Sequence, residues 1–204
     1  MQIRRFRSKL IQANCYFVID GNAGIIIDPS VEYDEVVRSS AVSLAGIFIT
    51  HGHFDHISEL DSYIENSDAP VYLHKLAFPK LNNPNLNCST LFPLNIQFSV
   101  PEKRIVCKSD TSELMLLSTP IRIIETPGHT DCSLCIMIAD MLFSGDTLFK
   151  DSIGRTDLPG AAPEALIASF LKLKNLNPAL TVYPGHGDST LLGRELTENP
   201  YIPR

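Results

Sequence analysis

No stretch of this chain approaches the roughly 18 consecutive apolar residues that a helix needs to cross a bilayer, so a membrane-spanning protein is not expected. Basic charge is also in short supply. Lys and Arg total 17 against 23 Asp and Glu, a formal net charge of −6. The one short basic cluster, Arg4-Arg5-Phe6-Arg7, reads as the solvated edge of a strand. A nucleic-acid phosphate backbone is therefore not the expected partner. Low-complexity runs are absent, which leaves little room for disorder away from the termini. The apolar segment 15–19 behind the basic N-terminus is too short for a secretory signal core, and no small-residue cleavage site follows it. Five cysteines, an odd number, suit a reducing compartment better than a framework of paired disulfides. A cytoplasmic protein is the expectation.

What is present is the pattern of a folded α/β protein. At 204 residues, 44% of them hydrophobic, the chain has the length for one domain spanning 1–204 and for a substantial core. Period-two and continuous apolar runs predict strands over 14–19, 24–28, 45–50 and 71–74, with helices over 33–39 and 57–66. Residues 81–101, rich in Asn and Pro, predict an irregular surface excursion able to shape a substrate mouth. Further strands are expected over 113–117, 121–125, 132–139, 141–144 and 180–183. A helix is expected over 163–175, with Pro163 in its first turn and Leu166, Ile167, Phe170, Leu171 and Leu173 spaced for burial. Cys132-Ser133-Leu134-Cys135 has the spacing of a redox or zinc pair. It lies in an apolar strand, however, where residues three apart point to opposite faces, so two buried thiols are expected.

The chemistry concentrates in His51-Gly52-His53-Phe54-Asp55-His56, directly after the strand 45–50. In extended backbone, residues two apart project to the same side, so His51 and His53 can share one ion. Asp55 and His56 come as the chain turns toward the next helix and can serve a second. Imidazole and carboxylate together are the usual ligand set for zinc and its neighbours. Three later turns each put a ligand-type side chain beside Gly or Pro next to a strand. They are Thr126-Pro127-Gly128-His129-Thr130, Ser144-Gly145-Asp146 and Pro184-Gly185-His186-Gly187. Loops at one edge of a sheet sandwich converge. Five of the six histidines fall in such loops, and His74 is left as a core or supporting residue.

This succession of motifs resembles the metallo-β-lactamase superfamily over nearly the whole chain. Within it, Gly145-Asp146-Thr147-Leu148-Phe149, Ser152 to Gly160, Asn14-Cys15-Tyr16 and the ending from Glu195 to Tyr201 are similar to the small single-domain branch of the glyoxalase II group. The resemblance implies an αββα sandwich of two mixed sheets flanked by helices. It implies one metal ion held by His51, His53 and His129, a second by Asp55, His56 and His186, and Asp146 bridging them. The ions implied are two divalent cations, zinc first, with iron or manganese as alternatives. It also implies hydrolysis of a small thioester, glutathione-derived among others, with Asp55 and Asp146 as catalytic groups.

The chain departs from glyoxalase II in having Gly154-Arg155-Thr156-Asp157 where that enzyme reads Gly-Lys-Phe-Tyr-Glu, and a counterpart of its C-terminal helical extension is not expected. Arg155 is the candidate for a substrate anion contact, since a guanidinium clamps a carboxylate through two hydrogen bonds. It can equally pin its own loop through Asp157 or Asp151. Two other readings remain open: a mononuclear iron persulfide dioxygenase, from a related branch that shares Gly-Arg-Thr-Asp, and a hydrolase of another ester, amide or lactone.

Overall fold

The computed structural model describes residues 1–110 and 113–203. The first half builds one six-stranded mixed sheet. Strand β1 (Gln2–Arg7) pairs antiparallel with β2 (Asn14–Asp20), and β2 pairs antiparallel with β3 (Ala23–Ile27). Helix α1 (Tyr33–Val36) leads to β4 (Ser43–Phe48), parallel to β3. A single 3-10 turn (Phe54–His56) and helix α2 (Leu60–Asn66) precede β5 (Val71–Leu73), and the short α3 (Phe78–Leu81) opens the excursion that ends in β6 (Ile105–Cys107). Strands β4, β5 and β6 are mutually parallel neighbours.

The second half repeats the plan. Strands β7 (Glu113–Leu114), β8 (Ile121–Glu125), β9 (Leu134–Ile138) and β10 (Met141–Gly145) form an antiparallel meander. A 3-10 turn (Pro163–Ala165) runs into α4 (Leu166–Lys174), after which β11 (Thr181–Pro184) lies parallel to β10. Strand β12 (Thr190–Leu191) and helix α5 (Leu192–Glu198) complete the order β12-β11-β10-β9-β8-β7.

Alternation along the strands decides the layers. Tyr16, Val18, Ile25, Ile27 and Phe48 face inward and meet Ile121, Ile123, Ile136, Ile138 and Phe143 of the other sheet. Their neighbours in sequence, Phe17, Ile26 and Ile47, face outward onto Leu60 and Tyr63 of α2. Likewise Ile124, Cys135 and Leu142 face Phe170 and Leu173 of α4 and Leu192 of α5. The result is the expected αββα sandwich. Edge-to-face packing of Tyr16 on Phe143, ring centroids 5.2 Å apart, joins the two sheets; such pairs contribute about 1 kcal/mol beyond their buried area.

Several expectations are corrected. Of the five apolar residues expected to be buried in α4, Phe170 and Leu173 are buried and Leu166 partly so, whereas Ile167 and Leu171 are 58% and 54% exposed. Residues 166, 170 and 173 share one stripe at the helical period; 167 and 171 fall on the next stripe, which faces water. The strand expected over 113–117 is only Glu113–Leu114, and that expected over 132–139 begins at Leu134, because Thr130 and Ser133 close a turn through their hydroxyls, 2.7 Å apart. Cys132 and Cys135 nonetheless point to opposite layers and are buried thiols. Strands β6 and β12 and helices α3 and α5 were not expected; each is short. Among the described residues, no helix is long and apolar enough to cross a membrane.

Candidate metal centre

The loops after β4, β8, β10 and β11 meet at one rim of the sandwich. Backbone bonds between these loops and strand ends fix them there. Leu134 N donates to Thr50 O at 2.8 Å, Gly185 N to Gly145 O at 2.8 Å, and Asn14 N to Gly185 O at 2.7 Å. The Asn14 side-chain amide donates to Pro184 O (2.9 Å) and Gly187 O (3.0 Å), and the Tyr16 hydroxyl donates to Pro184 O (2.7 Å). Asn14 and Tyr16 thus hold the turn that carries His186. Two glycines admit the close approach: Gly145 has φ +49°, and a Cβ on Gly185 would collide with the Asp146 carboxylate and the His56 ring.

All seven expected ligand residues come together. Three groups of donor atoms, each mutually within 4.8 Å, are His51 with His53 and His129, His51 with His56 and Asp146, and Asp55 with His56 and His186. Asp146 stands between the outer groups. Its Oδ1 lies 3.2 Å from His56 Nε2, and its Oδ2 lies 3.6 Å from His129 Nε2 and 3.7 Å from His186 Nε2. Asp55 Oδ2 is 3.2 Å from His186 Nε2. His186, with 26% of its side chain exposed, is the most exposed member of the cluster, against 12% for Asp55 and 10% for Asp146.

The hydrogen bonds on the far side of the rings show which nitrogens face inward as lone pairs. His129 Nδ1 lies 2.7 Å from the Arg155 carbonyl oxygen, which only accepts, so Nδ1 carries the hydrogen and Nε2 is free to donate a lone pair. The Thr50 hydroxyl gives its hydrogen to Asp28 Oδ2 (2.7 Å), so its oxygen accepts from His51 Nδ1 at 3.1 Å. That leaves His51 Nε2 aimed inward, buried and without a hydrogen-bond partner. Asp28 also accepts from His56 Nδ1 (2.9 Å) and from Thr50 N (2.8 Å). One buried carboxylate, held in the left-handed region at φ +54°, therefore sets two imidazoles. Sequence reading had taken Asp28 for the end of a strand.

The electrostatics point the same way. Burial holds the pKa of His51 well below the ordinary value, and burial together with His129 brings His53 down to about 3, so both are neutral donors. For His56 burial works downward too, but Asp146, Asp55 and Asp28 outweigh it and raise the imidazole well above its usual range. Burial would raise Asp146, yet His56 and then His51 hold it well below the carboxylate range. Neutral imidazoles on one side and carboxylates that demand positive charge on the other fit divalent cations.

Above the cluster lies a cavity of about 380 Å³. Its wall is mostly apolar, and Cys88, Leu91 and Phe92 of the excursion help form it. Arg155 lines it as well, with Nε and Nη2 bonded to the two Asp157 carboxylate oxygens at 2.6 and 2.7 Å. His74 stays outside, 3.2 Å from Glu125.

A four-layer αββα sandwich with a His/Asp cluster on its rim defines a metallo-hydrolase type of site. The sequence pattern of the Metallo-beta-lactamase superfamily matches residues 9–186, and the chain belongs to that superfamily. It is 35% identical over 208 residues to the probable metallo-hydrolase YqgX of Bacillus subtilis (strain 168), covering 99% of this chain and 98% of that one. Among solved structures it is similar to the B3 metallo-beta-lactamase BLEG-1, with a TM-score of 0.91, 30% identity and complete coverage of both chains. It is also similar to TTHA1623, solved in a di-iron-bound form, with a TM-score of 0.86, 32% identity and coverage of 98% and 100%.

Proposed function

We propose that this protein is a thioester hydrolase of glyoxalase II type that uses two divalent ions, zinc in both positions, and cleaves an S-acylglutathione or a similar small thioester. The observation that carries the reading is the pair of donor triads joined by Asp146 at the floor of an apolar cavity. His51, His53 and His129 would hold one ion and Asp55, His56 and His186 the other, with Asp146 shared. Ions bound there supply Lewis acidity and lower the pKa of water toward neutrality.

The chain's own groups do the rest. Asp55 accepts a hydrogen bond from the attacking water and orients it, so no Ser or Cys nucleophile is needed. Water oxygen bonds to the acyl carbon, the carbon–sulfur bond breaks, and the thiolate leaves with the proton, giving a carboxylic acid and a thiol. The apolar wall keeps bulk water away from the acyl carbon, and Arg155 is placed to meet an anionic group of the thiol half once it lets go of Asp157.

The test is metal analysis of protein purified without added metal, followed by a substrate panel headed by S-lactoylglutathione, with a β-lactam and glutathione persulfide as comparators. Thioester turnover with two zinc ions bound is expected. Oxygen uptake on the persulfide with one bound iron, or turnover of the β-lactam alone, would overturn the reading.

A further inference from the structure

Six apolar side chains, Ile11, Phe54, Leu91, Phe92, Phe149 and Leu158, stand around the cavity above the metal cluster. They come from separate stretches of chain: the loop between β1 and β2, the 3-10 turn after β4, the excursion after α3, and the loop after β10. Leu91 and Phe92 are 57% and 46% exposed, so the core does not account for them. Adjacent large apolar groups left in water at the mouth of a site mark a surface that binds apolar material.

The wall is also fixed in place. Asn87 is fully buried; its side-chain amide donates to Ile96 O at 2.9 Å, its Oδ1 accepts from Ser89 N at 3.0 Å, and its carbonyl accepts from Phe54 N at 2.9 Å. The excursion is thereby tied to the residue between His53 and Asp55, and the Phe92 ring rests against Phe54 with centroids 5.2 Å apart. Among the described residues, Arg155 is the only Lys or Arg in the lining, and its Nε and Nη2 are already bonded to Asp157.

We infer that the acyl half of the substrate is an uncharged, apolar chain or ring of medium length, seated against this wall with its carbonyl over the His/Asp cluster. The inference rests on the thioester reading for its chemistry but not for its binding surface. Leu91 and Phe92 are then specificity residues: they set which acyl group is accepted and touch none of the groups that break the bond.

The experiment uses the metal-loaded protein and N-acetylcysteamine thioesters carrying acetyl, butyryl, hexanoyl and octanoyl groups. Each methylene buried against the wall is expected to raise kcat/KM by roughly fourfold until the cavity is filled. In the variant Leu91→Ser/Phe92→Ser the hexanoyl-to-acetyl ratio should fall at least tenfold. Binding of the non-hydrolysable thioether S-hexyl-N-acetylcysteamine, followed by calorimetry, should show a negative heat-capacity change that shrinks in the same variant. Rates independent of chain length, or S-lactoylglutathione preferred over the hexanoyl ester, would overturn the inference and leave the thioester reading standing. If no thioester is cleaved, that reading fails by itself. The thioether titration then decides the wall alone: binding supports it, and its absence overturns it.

Discussion

Asp28 and His56 are joined by a 2.9 Å hydrogen bond at the base of the metal cluster, and the same carboxylate takes the Thr50 hydroxyl that in turn positions His51. Carboxylates behind ligand imidazoles fix ring orientation and raise donor strength, and their loss typically costs 10- to 100-fold in metal affinity or activity. Asp28→Asn is a clean probe because Asn tolerates the left-handed conformation that Asp28 adopts. Metal affinity and kcat/KM should each fall about 10- to 100-fold while the circular dichroism spectrum is retained. Wild-type metal affinity in this variant would remove Asp28 from the site.

That relationship also shows where sequence reading stops. All seven ligand-type residues were legible from local signals: His51, His53, Asp55 and His56 from one six-residue cluster after a strand, and His129, Asp146 and His186 from Gly turns beside strands. Asp28, Asn14 and Tyr16 were not legible as parts of the site. Their partners, Thr50, His56 and the turn at Pro184, lie far along the chain, and nothing local distinguishes an Asp that ends a strand from one that orients a histidine. The layers were legible from the order of elements, strands with helices before and after in each half; β2, β3 and β9 are apolar on both faces, so which face meets the other sheet was not. Ile167 and Leu171 were misread because an apolar residue one stripe away from the buried face carries the same hydropathy. Strand β12 has only two residues, too few to show a period.

Among the described residues, Asp146 is the one carboxylate within 4 Å of imidazoles of both outer triads, so Asp146→Ala should strip metal from both positions and abolish turnover. His129→Ala removes a donor from one triad only, yet turnover should vanish there as well if, as proposed, hydrolysis needs both positions filled. Elemental analysis beside the thioester assay reads the two effects separately. Full activity in either variant would contradict the assignment.

If the cluster holds its ions in the native state, metal removal must lower stability. A ligand at a thousand times its Kd contributes about 4 kcal/mol. For a chain of 204 residues this corresponds to roughly 8–16 °C in Tm. Scanning calorimetry with and without a chelator should show a drop of that order, restored by added zinc. An unchanged Tm together with measured metal release would mean that the ions do not bear on the fold.

The cysteines divide by burial. Burial pushes the Cys15 thiol up to about 12 and the Cys135 thiol up to about 11, so neither supplies appreciable thiolate near neutrality, whereas Cys107 is exposed. Iodoacetamide at pH 8 should therefore add one group quickly, at Cys107, with Cys15 and Cys135 labelled only on denaturation. Intact-mass and peptide analysis reads this directly. Rapid labelling of Cys135 in the folded protein would revive the redox-pair reading of Cys132 and Cys135.

Lys80 is almost wholly buried, with its ammonium 2.9 Å from Asp131 Oδ1, and its aliphatic stem packs over Gly52, between His51 and His53. The pair ties the first histidine loop to the loop carrying His129. Its two ends are unequal: Asp131 keeps 39% of its side chain in solvent and Lys80 only 4%. Removing Asp131 strands a buried cation, whereas removing the charge of Lys80 leaves a carboxylate that water can reach. Asp131→Ala should accordingly cost about 3 kcal/mol, near the lower end for broken buried pairs because of that exposure. Lys80→Met keeps the stem over Gly52 and should cost less, and the double variant should recover most of the loss. Chemical denaturation of the four proteins closes the cycle. If Asp131→Ala is harmless and Lys80→Met is the damaging change, the stem over Gly52 rather than the charge pair is what holds the histidine loop.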